Sequence, residues 1–104
     1  MPFQDQSIPE PLQRRLEMVG CISSLTATAH KLIQQASGVE MEIMRLELAL
    51  ARGPADEKLV AALRESEEQA SAIRSGQTET NAAIEAAEAA VRDIDLLIAK
   101  AKGG

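Results

Sequence analysis

Apolar residues in the first half of this chain recur at alternating steps of three and four positions over residues 22–50. That alternation is the spacing of a coiled-coil heptad, in which the first and fourth positions are apolar. It predicts one long helix that carries a single apolar seam. The members of this first seam are Ile22, Leu25, Ala29, Leu32, Ala36, Val39, Ile43, Leu46 and Leu50.

The second half carries the same alternation over residues 59–98, interrupted near its middle by Ser66, Gln77 and Thr80. A repeat of about 3.5 residues predicts a second helix and gentle left-handed supercoiling. Gln77 either fixes the register of the pairing or the oligomer state, or lies in a partly wet seam. The apolar members of this second seam are Leu59, Leu63, Ala70, Ile73, Ile84, Ala87, Val91, Ile94 and Ile98.

The junction between the two seams reads as a tight bend. Gly53 suits the left-handed residue that often ends a helix, and Pro54 suits the first turn of the next one. Asp56 and Glu57 suit the positive end of a helix dipole. Helices joined by so few residues pack as antiparallel neighbours, so the junction predicts a hairpin.

Folding the chain at this bend pairs residues in a consistent register, with Leu46 opposite Leu63 and Ile22 opposite Ala87. Large residues often face small ones, as interdigitating layers require. The predicted fold class is therefore all-α, a long antiparallel two-helix coiled-coil hairpin that forms one domain over residues 10–102. We expect helices over residues 10–52 and 55–101, a turn at 53–54, and a disordered arm over the polar, proline-containing residues 1–9.

A second apolar stripe lies off the first seam, at Met41, Met44 and Leu48, three and four residues apart. Helical geometry places these residues roughly opposite the seam, where they predict a contact surface, and methionine suits adaptable contacts. The alternative is a scatter of surface apolar residues, which every protein tolerates. Because a two-helix seam covers each residue only in part, we expect oligomerisation into a helical bundle, with a homodimer or a protein partner covering the rest.

Composition and charge exclude several classes of function. The formal net charge is -5, and an acidic chain without clustered Lys and Arg is a poor ligand for nucleic acid. No apolar run approaches the roughly 20 residues that span a bilayer.

The first residues lack the basic start and apolar segment of a secretory signal. One cysteine forms no internal disulfide, so we expect a cytoplasmic protein, with export by a signal-less route left open.

The sequence offers little for catalysis. His30 is the only histidine, and neither it nor Cys21 belongs to a Cys/His cluster of the kind that binds metal. We expect His30 at the surface or in an oligomer contact, and Cys21 half-buried beside Ile22. The interruptions Gly20, Gly38 and Gly76 mark either flexible points or close contacts. We expect no enzyme activity, no cofactor and no metal.

Three further segments carry a resemblance to a known family. They are the bend Gly53-Pro54-Ala55-Asp56 followed by Leu59 and Leu63, the run RSGQT over 74–78, and the run RDIDLLI over 92–98. Residues 46–98 thereby resemble the small helical hairpins of type III secretion systems, both needle subunits and needle co-chaperones. The chain departs from needle subunits in lacking their aromatic residues. The resemblance implies a subunit or chaperone that works by helix packing.

The expected function is that of a non-enzymatic protein–protein interaction protein: an adaptor, chaperone, inhibitor or assembly subunit. One alternative is the type III secretion subunit or co-chaperone. Another is an oligomeric protein that sequesters a small ligand between subunits, although the near-absence of aromatic walls counts against it. Its pockets would be lined by Arg15, Thr26, Thr28, His30 and Lys31.

Overall fold

A computed structural model describes residues 9–54 and 56–103 of the chain. Within these ranges it contains two α-helices and no strand: α1 spans Glu10–Arg52 and α2 spans Glu57–Gly103. The helices pack against each other, which confirms the predicted all-α two-helix hairpin. The disordered arm expected over residues 1–9 falls, apart from Pro9, outside the described residues.

Each helix begins and ends with charges that complement its dipole. Glu10 and Glu57 lie in the first turns of α1 and α2, where the dipole is positive. Arg52 lies in the last turn of α1, and Lys100 and Lys102 lie in the last turn of α2. In the first backbone hydrogen bond of α1, the Gln13 N–H donates to the Pro9 carbonyl at 3.0 Å. Pro9 and Pro11 therefore lie where the helix needs no backbone N–H donor.

The bend differs from the prediction in two respects. Helix α2 begins at Glu57 rather than at residue 55, because Asp56 caps it. The Asp56 carboxylate accepts the Lys58 N–H at 2.9 Å, and its carbonyl accepts the Val60 N–H at 3.0 Å. Pro54 therefore lies before the helix, within the predicted turn at 53–54, and not in the first helical turn that its residue type also suits.

Gly53 does not adopt the left-handed conformation expected of it. No glycine of the described residues has a positive φ angle. The cause lies in the next residue, because a proline restricts the backbone of the residue before it towards extended conformations. The chain thus leaves α1 through a proline-directed bend instead of a glycine cap.

The described residues fall into two compact units, and both helices contribute to each. Unit 1 contains the described parts of Met1–Ala27 and Ala82–Gly104, and unit 2 is Thr28–Asn81. Unit 2 holds the end of α1, the bend and the start of α2. Unit 1 pairs the beginning of α1 with the end of α2.

Burial follows the two seams in each unit. Every predicted seam residue is buried or half-buried. Full burial is rare, since the buried apolar side chains are Leu46 in unit 2 and Ala87 and Ile94 in unit 1, with Ser66 the buried polar residue. A fully buried Leu or Ile contributes about 1.5–3 kcal/mol, so most of this seam contributes only a fraction of that per residue.

Candidate interaction surface

Helix α1 exposes an apolar face in unit 2. Met41, Met44 and Leu48 are 69%, 64% and 53% exposed, whereas Leu46, which faces α2, is 4% exposed. Residues three and four apart lie on one face of a helix. We call Met41, Met44 and Leu48 the methionine stripe, because their spacing places them on one face of α1.

Charged residues border the methionine stripe on both sides. At about 100° per residue, Glu40 and Glu47 fall on one side of the stripe, and Arg45 and Arg52 fall on the other. All four side chains are exposed. The stripe therefore has an acidic edge and a basic edge.

One of these charges is paired within its own helix. The Arg45 guanidinium donates to both Glu42 carboxylate oxygens, at 2.5 Å from Nη2 and 3.1 Å from Nε. These hydrogen bonds lower the pKa of Glu42 below its ordinary value, and the Arg45 charge acts in the same direction. The pKa of Arg45 is raised by the same hydrogen bonds and by the Glu42 charge. Glu40, Glu47 and Arg52 have no ion-pair partner among the described residues.

Unit 1 exposes apolar residues that lie outside the predicted seams and the predicted stripe. On α1 they are Leu12, Leu16 and Val19, and on α2 they are Leu96 and Leu97. Leu97 lines a small groove with Pro11, Arg14 and Ile94. The signal was present, because Leu12, Leu16 and Val19 are four and three residues apart. They lie before Ile22, which is the first residue of the predicted seam.

Close approach of the helices occurs at one of the three glycines singled out in the sequence. A Cβ atom on Gly76 would lie 3.6 Å from both methyl carbons of Leu32. Gly20 and Gly38 would meet no atom within 4 Å. Gly76 is therefore a contact position in unit 2, and the other two glycines face open space.

The reactive side chains are dispersed. Cys21 is a free, exposed thiol, so the expectation that it is half-buried was wrong. It adjoins Ile22, but one step around a helix turns a side chain by about 100°, away from the single neighbouring helix. His30 is exposed. The described residues contain no group of three or more His, Cys, Asp or Glu that could hold a metal ion.

The residues predicted to line a ligand pocket are mostly solvent-facing. Thr26, Thr28, His30 and Lys31 are exposed on α1. Arg15 is half-buried in unit 1, where its Nε donates to the Asp95 carboxylate at 2.6 Å.

Neither described helix has an apolar stretch long enough to cross a bilayer.

The fold and this surface define a class: a two-helix hairpin that exposes an apolar face with charged edges. Comparison with protein-family models, curated proteins and solved structures finds no match to this chain. The resemblance to type III secretion hairpins and the ligand-sequestering alternative both stay predictions.

Proposed function

We propose that this chain is a non-enzymatic protein–protein interaction protein that acts by packing helices against its exposed face. Within that class it would serve as an adaptor, chaperone, inhibitor or assembly subunit. The observation that supports this is the methionine stripe, whose three side chains are 53–69% exposed on one helical face. Contiguous exposed apolar patches mark contact sites, whereas single exposed residues do not.

The energetics of the hairpin favour the same proposal. Three apolar residues of the described chain are buried, and no described side chain is fully enclosed. Ordering a chain costs about 1–2 kcal/mol per residue in backbone entropy, which a single narrow seam offsets with little to spare. Covering the methionine stripe with another helix would add buried apolar area where the hairpin has spare surface.

The proposal extends to the state and place in which the protein works. Heptad spacing in both helices supports a coiled-coil hairpin that associates into a bundle, and a dimer is the simplest such bundle. We place the protein in the cytoplasm, because its one cysteine is an exposed thiol that forms no internal disulfide.

The test introduces charge into the stripe. The variant Met44→Glu/Leu48→Glu should lose partner capture from a lysate of the source cell, or lose mass in solution, while circular dichroism shows unchanged helix content. A matched control, Ser71→Glu/Ser75→Glu, adds the same charge at exposed residues of α2 in unit 2. The control should keep both properties. If the stripe variant keeps its partners and its mass, the proposal is wrong.

A further inference from the structure

The geometry points to a specific occupant for the methionine stripe: the same stripe of a second copy of this chain, packed in parallel as a short coiled coil. This inference rests on the proposed function and deepens it. It commits to self-association and to one of two possible orientations of the paired α1 helices. The heptad positions of the exposed residues of unit 2 and the signs of the neighbouring charges support this arrangement.

The exposed face of α1 has a heptad register of its own. Met41 and Leu48 occupy the first position of successive heptads, and Met44 and Ala51 occupy the fourth. All four residues are exposed, so the face is available to another helix. In the preceding heptad the same positions are polar, at Gln34 and Ser37. The apolar part of this exposed register therefore begins at Met41 and continues to the end of α1, and we call it the dimer seam.

The flanking charges match a parallel pair. In a parallel coiled coil, the residue just before each first position faces the residue five places later on the partner helix. Here those pairs are Glu40 with Arg45 of the second copy, and Glu47 with Arg52 of the second copy. The two-fold axis repeats each pair, so four ion pairs of opposite charge border the seam.

An antiparallel pair of the same helices has the wrong charges. Reversing one helix brings like edges together, because the two-fold axis then lies perpendicular to the helices. Glu40 and Glu47 would face the acidic edge of the second copy, and Arg45 and Arg52 would face its basic edge. Like charges across an interface disfavour that arrangement, so the charge pattern selects the parallel one.

The dimer seam is short, and its small area limits the affinity of the dimer. Four apolar positions on each copy cover less than the roughly 1,200–2,000 Å² of a standard stable interface. A dissociation constant between about 1 µM and 1 mM is expected for a contact of this size. The mass of the wild-type protein should therefore rise from monomer to dimer as its concentration is raised through this range.

Charge reversal tests the pairing. Glu40→Lys/Glu47→Lys and Arg45→Glu/Arg52→Glu should each raise the dimer dissociation constant by at least about tenfold, because each puts like charges across the seam. An equimolar mixture of the two variants should dimerise as well as the wild type. The control Glu65→Lys/Glu68→Lys lies on α2 and changes the net charge by the same amount as Glu40→Lys/Glu47→Lys. It should leave dimerisation unchanged. Circular dichroism checks that each variant is folded.

Cross-linking tests the orientation independently. In a Cys21→Ser background, Met41→Cys places one thiol at a first heptad position of this face and Ala51→Cys places one at a fourth position. Parallel packing sets equal-numbered residues opposite each other, so each variant alone should oxidise to a disulfide-linked dimer. Antiparallel packing sets first positions opposite fourth positions and would link residue 41 to residue 51, so only the mixture of the two variants would cross-link.

Three results would overturn this inference. They are a wild-type protein that stays monomeric to millimolar concentration, charge variants that dimerise as well as the wild type, and disulfides that form only in the mixture. None of these would overturn the proposed function if Met44→Glu/Leu48→Glu still abolished capture of another protein. The two proposals therefore fail on different measurements.

Discussion

The Arg15 guanidinium donates a hydrogen bond of 2.6 Å to the carboxylate of Asp95, a residue 80 positions further along the chain. Asp95 adjoins Ile94, which the predicted register places opposite position 15. The pair thus lies within one residue of the alignment expected from the heptads. It joins the beginning of α1 to the end of α2 within unit 1.

This ion pair should contribute little to stability. The two side chains are 39% and 49% exposed, and exposed pairs are screened by solvent. A double-mutant cycle with Arg15→Ala and Asp95→Ala should give a coupling energy of about 0.2–1 kcal/mol at low salt, decreasing as salt is added. Urea denaturation of the four proteins measures it. A coupling that salt leaves unchanged would contradict the screened geometry.

The cap of α2 should matter more. Asp56→Ala removes the acceptor for the Lys58 N–H, and losing such a cap costs about 1 kcal/mol. Asp56→Ser keeps an acceptor at the same position and should recover most of that loss. Urea denaturation followed by circular dichroism compares the two variants. Equal stabilities for the alanine and serine variants would show that the carboxylate does not cap the helix.

The seam between α1 and α2 was predictable because heptad spacing can be read from the local sequence. The residues at those heptad positions are buried or half-buried in the structure. The half-buried face of α1 also extends back through Met18 to Arg15, beyond the predicted start at Ile22. An arginine at an apolar position broke the pattern, and only the partner helix shows that it pairs with Asp95. The bend was predicted less well, because Gly53, Pro54 and Asp56 offer competing local solutions, of which the Asp56 cap prevailed.

The candidate surface was predictable in part. Met41, Met44 and Leu48 stand off the seam by spacing alone, and the structure shows that α2 leaves them uncovered. The sequence pattern of one chain does not show which partner covers these residues, since the spacing of an exposed stripe is the same whichever partner binds it. The orientation of a second copy becomes inferable only when the stripe is combined with the charges of Glu40 and Arg45.

Two glycines should be replaceable with a gain in stability. Gly38→Ala places a Cβ atom in open space, and Gly76→Ala places one 3.6 Å from the Leu32 methyls, an ordinary van der Waals contact. Each should stabilise the hairpin by about 0.5–1 kcal/mol, because alanine favours helix over glycine. Thermal unfolding measures this, at about 4–8 °C for each kcal/mol in a chain of this size.

Gly20→Ala serves as the reference for this pair, since its Cβ also meets no atom within 4 Å. It should gain about as much as Gly38→Ala. A loss of stability in Gly76→Ala alone would show that Leu32 approaches α2 more closely than the structure indicates.

The Glu42–Arg45 pair should make stability depend on pH in a defined direction. The folded-state pKa of Glu42 is lowered, chiefly by the Arg45 hydrogen bonds, so this carboxylate favours the folded state at neutral pH. Its contribution is present above the unfolded-state pKa and is lost as pH falls through the folded-state pKa. Arg45→Ala should be less stable than wild type at pH 7, and the difference should vanish in acid.

An NMR titration of the Glu42 side chain gives a direct check. Its pKa should rise in Arg45→Ala relative to the wild type. An identical titration in the two proteins would mean that the ion pair does not persist in solution.

Two leucines on the same turn of α1 should separate folding from association. Leu46 is 4% exposed and Leu48 is 53% exposed. Leu46→Ala leaves a cavity in the seam and should cost about 2–3 kcal/mol of unfolding free energy. Leu48→Ala should change the stability of the dilute monomer by less than about 0.5 kcal/mol. The substitution is the same in both variants, so helix propensity cannot explain a difference between them.

Association should respond in the opposite order. Leu48→Ala removes apolar area from the methionine stripe and should shift the monomer–dimer equilibrium towards monomer. Leu46→Ala should leave that equilibrium unchanged wherever the hairpin is folded. Urea denaturation at low concentration and sedimentation at high concentration read the two effects separately. If both leucines affected folding alike and neither affected mass, the division of α1 into a seam face and a binding face would be wrong.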